Sequence, residues 1–153
     1  MRAYYIPLAA GLALILSAFL PWMFLGESRI GGVPDPAGFW VLGLGVLAVT
    51  LAGLSIWTRK NSRHPLLVVG LTAFAIMFLG YQWLSRSVRE TAWARGQAEA
   101  IVNNTPFHDV PASGVGAGMY LGMAAALVLV LFGLTIVIKK TPRAYAVPED
   151  DDI

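Results

Sequence analysis

The chain of 153 residues contains no cysteine. That excludes disulfides, thiol catalysis, iron–sulfur clusters, zinc–thiolate sites and anchoring through a lipidated cysteine. Charge is also scarce. Asp, Glu, Lys and Arg make up 13% of the residues, about half the usual share of a soluble domain (~25%). With 11 basic and 9 acidic side chains, neither sign dominates. No concentrated basic patch of the kind that binds nucleic acid follows from that balance. Hydrophobic residues fill the space, at 57%. Such a chain is neither disordered nor an ordinary water-soluble globule, and its expected solvent is the lipid bilayer.

Charge is absent from four stretches altogether. They run from about Tyr4 to Leu25, Phe39 to Trp57, Pro65 to Leu84 and Met119 to Ile138. A spanning helix needs roughly 20 apolar residues to cross a core of about 30 Å. All four stretches meet that length, so the expected fold is all-α. It is a single polytopic membrane domain built as a bundle of four transmembrane helices. The first stretch follows Arg2 and is too long for the apolar region of a secretory signal. No small-residue cleavage pattern comes after it, so it reads as an uncleaved anchor.

The loops give an orientation. Arg59, Lys60 and Arg63 sit between the second and third spans without an acid, and Lys139, Lys140 and Arg143 follow the fourth. Positive loops stay cytoplasmic, which puts both termini inside and the 139–153 tail in the cytoplasm. In a cell of bacterial type this is the plasma (inner) membrane. Aromatics near the span ends suit the bilayer–water boundary: Trp22, Trp40, Trp83 and Tyr120 outside, Trp57 inside, with Tyr81 joining the first group and Tyr4 and Tyr5 the last.

Two outer loops remain. The first, from about Gly26 to Gly38, is rich in Gly and Pro and reads as turns capping the bundle. Its Val33-Pro34-Asp35-Pro36 stretch is not expected to be helical. The second, 85–118, opens with SRSVRETAWARGQAEAIVNN. Its Ala, Arg, Glu and Gln favour helix, and no Pro occurs between Pro65 and Pro106. The third span should therefore continue outward as one helix to about Val102, projecting roughly 25 Å. Arg86 with Glu90, and Arg95 with Glu99, have the i,i+4 spacing of helix-surface pairs. Val88, Ala92, Trp93, Ala100 and Ile101 are its apolar content, and Val88, Ala92 and Gln97 to Ile101 give a loose stripe, which either folds back on the bundle or meets a partner. Arg86, Arg89, Trp93, Arg95 and Ile101 are the candidate partner-binding residues.

Chemistry is hard to find. His64 and His108 lie in loops, and His108 has only Asp109 beside it, far short of a ligand set. The spans hold no ionisable residue of the kind that relays protons or couples ions. No catalytic residue, metal site or cofactor is assigned. Ser17, Thr50, Ser55, Thr72 and Thr135 read as helix-packing hydroxyls. Small residues at four-residue spacing are frequent: Ala9, Ala13 and Ser17 on the first span, Ala48 and Ala52 on the second, Gly118, Gly122 and Ala126 on the fourth. Such runs allow close backbone approach.

Two stretches carry a resemblance. Ala18-Phe19-Leu20-Pro21-Trp22, before a Gly-rich loop, and Gly116-Ala117-Gly118-Met119-Tyr120-Leu121-Gly122 together resemble small four-helix bacterial inner-membrane proteins of the tryptophan-associated type. The resemblance implies a fold and a location, and no activity. The second stretch is also similar to the last span of claudin-like proteins, but the missing cysteine pair and the small first outer loop exclude that family. The expected function is a non-catalytic accessory or scaffolding subunit of a larger inner-membrane complex. Its partners would be the bilayer and other integral membrane subunits or further copies of itself. The alternative is a homo-oligomeric channel or small-molecule transporter; a lipid- or quinone-directed enzyme using Arg86, Arg89 and His108 ranks third.

Overall fold

The computed structural model describes residues 4–25, 28–58, 62–106 and 113–139. Four helices carry the fold: α1 (Tyr5–Phe19), α2 (Pro36–Thr58), α3 (Arg63–Asn103) and α4 (Ala117–Lys139). Three of them, α2, α3 and α4, are long and apolar enough to cross a membrane. α1 is apolar but has 15 residues, about 22 Å of helix, which falls short of a bilayer core of about 30 Å. The stretch assigned to the first span breaks at Leu20, whose extended backbone leads through Pro21 into a strand.

That strand, β1 (Met23–Leu25), is the middle of a small antiparallel sheet. It pairs with β2 (Ser28–Ile30) through Met23 opposite Ile30, and with β3 (Ser113–Val115) through Met23 opposite Val115. The first outer loop, read from sequence as turns, and the second thus each contribute one strand, on opposite sides of β1. α2 also begins earlier than its sequence pattern suggests. Asp35 accepts the first helical bond from the Phe39 amide (3.2 Å), and Pro36 stands in the first turn. Proline is at home there, because the N–H it lacks would have had no helical partner.

Each helix packs on the next along the chain, and α4 closes the ring onto α1. Leu14, Val41, Ala48, Leu66, Met77 and Leu129 are sealed inside the bundle. Small residues set the helix spacing. A Cβ on Gly45 would stand 3.0 Å from the Ile15 amide nitrogen, and one on Gly70 would stand 2.9 Å from that of Val130. Backbone therefore lies on backbone, as small residues permit between apolar helices. Ala48, Ala52, Gly118, Gly122 and Ala126 are all buried. On α1 the face differs from the expected one. The buried residues are Pro7, Ala10, Gly11, Leu14, Ser17 and Ala18, while Ala9 is exposed and Ala13 half-buried. The helix turns its glycine, Gly11, against Ala48 and Val49, because the closest approach belongs where no side chain intervenes.

At the end of the bundle opposite the sheet, aromatic contacts tie three helices. The Ser62 amide donates to the Tyr4 hydroxyl (3.3 Å). The Tyr4 ring meets Phe132 edge-on with centroids 5.3 Å apart. The Arg63 guanidinium carbon lies 5.5 Å from the Phe132 ring centre, within cation–π range.

Gly70→Val should lower unfolding stability in detergent by about 1–3 kcal/mol, the usual cost of overpacking. Gly43→Ala, where an added Cβ meets nothing within 4 Å, should keep or raise it, by up to about 1 kcal/mol from helix propensity. Thermal unfolding followed by circular dichroism compares the two.

Candidate functional site

The sheet end is built around the last turn of α1. A helix leaves its final carbonyls without intrahelical donors, and here other segments supply them. The Ser17 carbonyl accepts the Trp22 indole Nε1–H (3.0 Å) and the Leu20 amide (3.3 Å). The Ala18 carbonyl accepts the Val33 amide (2.7 Å), and the Pro21 carbonyl accepts that of Gly118 (3.1 Å). The Trp22 carbonyl accepts the Gly116 amide (2.7 Å). Glycine makes these approaches possible. Gly31 and Gly32 have φ of 83° and 82°, in the region L side chains avoid. A Cβ on Gly32 would fall 2.8 Å from the Ala18 carbonyl oxygen.

Trp22 is therefore no surface anchor. It is 1% exposed, and its ring reaches beneath Gly31 toward Gly80. The short α1 turns the chain inward at Pro21, so the indole fills the space below the sheet. The other four anchor candidates lie outside the packing: Trp40 at 68% exposure, Trp57 at 86%, Trp83 at 78% and Tyr120 at 66%.

α3 runs for 41 residues without interruption, about 62 Å, and ends where Asn104 adopts a left-handed conformation and its amide bonds the Ala100 carbonyl. Leu84 and Val88 still touch the rest of the molecule: Leu84 lies beside Gly31, and Val88 is 7% exposed. Beyond Val88 no described residue of the helix is buried. Trp93 is 52% exposed and Ile101 80%. The apolar stripe does not fold back onto the bundle past Val88.

The candidate partner-binding residues fall on more than one face of this arm. At 100° per residue, Arg86, Arg89 and Trp93 lie within about 60° of one another, Ile101 lies about 60° beyond Arg86, and Arg95 takes the opposite side. Arg86 Nε bonds Glu90 Oε1 at 3.1 Å across exposed helix surface. Between described residues this is the sole ion pair, and Arg95 does not close on Glu99. A wide concavity of about 620 Å³ lies against Arg89, Glu90, Trp93 and Ala94.

Two smaller hollows lie near the sheet. One, of about 370 Å³, is lined by Phe19, Pro21, Arg29, Ile30, Gly31, Val33, Pro34 and Asp35. The other, of about 180 Å³, is apolar and sits between α3 and α4 against Phe78, Tyr81, Met119 and Met123. Among the described residues no three His, Asp or Glu side chains gather as a metal site. His64 is exposed in the first turn of α3. His108 lies outside the described residues, as do Arg2, Arg59, Lys60, Lys140, Arg143 and the acidic tail.

No family model matches the chain, and no match is found among curated proteins or solved structures.

Because the chain has no native cysteine, spin labels on Ser87→Cys and Ile101→Cys report cleanly on the arm. A continuous helix puts the labelled backbones roughly 21 Å apart. A single narrow distance distribution near that value is expected from pulsed electron paramagnetic resonance. Separately, Trp22→Phe removes the indole donor and should cost about 1–3 kcal/mol of unfolding stability. Trp57→Phe, at an exposed position, should cost little in the same assay.

Proposed function

We propose that the chain is a four-span membrane protein that serves as a non-catalytic accessory or scaffolding subunit of a larger assembly in a bacterial inner membrane. The bundle surface supports the membrane part. Leu12, Leu16, Val46, Leu47, Leu54, Val68, Leu71, Leu79, Leu127 and Leu131 all point outward. An apolar surface that encircles a small domain is not compatible with water. The exposed hydroxyls between them are satisfied within their own helices: Thr50 donates to the Val46 carbonyl (2.8 Å) and Thr72 to that of Val68 (2.9 Å). In lipid, where no water can serve, that is the required arrangement. Trp40 and Trp57 stand at opposite ends of α2, about 25 Å apart along its axis, close to the spacing of the two bilayer boundaries.

α1 then spans as a helix completed by extended chain, and the sheet lies at the outer boundary. The charge pattern of the loops orients both termini toward the cytoplasm, with the arm of α3 outside.

The arm carries the subunit reading. Its residues from Arg89 to Val102 are exposed or half-buried, and Trp93, Ile101 and Val102 are each more than half exposed. A helix of about 20 Å held clear of its own domain makes physical sense as a contact surface for another subunit. The channel reading finds less support. The hydroxyls of Ser17, Thr50, Thr72 and Thr135 all bond carbonyls of their own helices, and among the described residues Ser17 and Ser55 are the sole polar side chains buried in the bundle.

Extraction from native membranes in mild detergent should bring down a defined set of membrane proteins at fixed stoichiometry. Trp93→Ala with Ile101→Ala should strip them away while the chain stays in the membrane. Recovery of a lone monomer under the gentlest conditions overturns the subunit reading; a ring of identical copies moves the assignment to the channel. For orientation, an impermeant thiol reagent should label Gln97→Cys in intact cells, and His64→Cys after permeabilisation alone.

A further inference from the structure

We infer that the hollow between the β1–β2 hairpin and the start of α2 binds the headgroup of a zwitterionic aminophospholipid, with the phosphate on Arg29 and the ammonium on Asp35. The inference rests on the membrane reading above and adds a ligand to it. Arg29 and Asp35 line the same hollow of about 370 Å³. They bring one charge of each sign, and both side chains are exposed. Neither forms an ion pair with the other, and neither side chain takes part in a hydrogen bond among the described residues. Among the described residues, a cation and an anion therefore share one recess with neither side chain bonded.

A ligand of one sign would meet attraction from one residue and repulsion from the other. A ligand with both signs satisfies the pair. An ammonium can donate hydrogen bonds to a carboxylate, and a phosphate accepts them from the guanidinium fork, so each end has a matching group. Apolar side chains stand beside the charged pair. Pro21, Ile30, Val33 and Pro34 line the hollow, and Phe19, which is 63% exposed, forms its edge on the α1 side. Leu16, at 60% exposure, follows one turn further down the same helix. An occupant seated on the charged pair has its remainder directed along this apolar strip, toward the lipid-covered side of the bundle. The recess is also held open by backbone that cannot easily collapse. Gly31 and Gly32 are fixed in left-handed geometry by the Val33–Ala18 bond, and Gly38 of α2 is packed directly on the Gly32 backbone.

Native mass spectrometry of the full chain in detergent tests the site. The chain is incubated separately with phosphatidylethanolamine, phosphatidylglycerol and phosphatidylcholine of identical acyl chains. Phosphatidylethanolamine should be retained about two- to fivefold over phosphatidylglycerol, the scale of one exposed ion pair. Asp35→Asn should bring those two lipids to parity, and Arg29→Gln should reduce retention of both. Glu99→Gln removes the same charge from the arm, far from the hollow, and should change nothing. Equal retention of the three lipids by the unaltered chain, or loss of selectivity in Glu99→Gln, overturns the proposal. So does binding of water-soluble glycerophosphoethanolamine as tight as that of the diacyl lipid, which would make the occupant a free headgroup compound. An alkaline carbonate wash separates the two failures. If it releases the chain from membranes, the four-span reading falls first; if the chain resists the wash but shows no selectivity, the site alone is wrong.

Discussion

Much of this structure depends on the carbonyl groups at the end of α1. The helix stops at Phe19, and its last carbonyls have no donors of their own. In a low-dielectric setting an unpaired peptide carbonyl is expensive. The Trp22 indole pairs the Ser17 carbonyl and the Val33 amide before α2 pairs that of Ala18, while the Gly116 and Gly118 amides at the start of α4 pair the Trp22 and Pro21 carbonyls of the chain leaving the helix. That convergence positions the sheet, fixes where α2 and α4 begin, and brings the Gly31–Gly32 turn onto α1. The sheet is the consequence of a short helix, since the chain leaving it is extended and needs neighbours on both sides.

The helices were readable because composition alone marks them. Apolar runs without charge identify α2 and α4 within a few residues, and a stretch of helix formers without proline marks the arm of α3. What composition could not reveal was which apolar residues turn inward. The helices are apolar on every side, so amphipathic periodicity carries no information. That is why the small-residue face of α1 was placed on Ala9, Ala13 and Ser17, and why Trp22 was grouped with Trp40. Both distinctions depend on tertiary contacts: Gly11 on Ala48, and the Trp22 indole on the Ser17 carbonyl. The break at Pro21 was visible as a proline near a span end, but its effect was hidden by the apolar Met23-Phe24-Leu25 that follows.

The candidate sites were legible to different degrees. The arm could be read as a helix with Trp93 and Ile101 on it, whereas its separation from the bundle beyond Val88 could not. The pairing of Arg29 with Asp35 around one hollow was invisible, since it arises from the hairpin and the Gly31–Gly32 turn folding over Phe19. The Tyr4, Ser62, Arg63 and Phe132 cluster was equally hidden, because it joins residues from three separate helices.

The unbroken course of α3 has a geometric corollary. The azimuth at which Trp93 and Ile101 face outward is not set locally. It is inherited from Gly70, where α3 meets α4 backbone to backbone. Each residue adds about 100° of rotation, so the arm behaves as the hand of a dial whose spindle is clamped inside the bundle. One residue inserted between Gly80 and Leu84 would leave the packed half of α3 in place and redirect every side chain of the arm by more than a quarter turn.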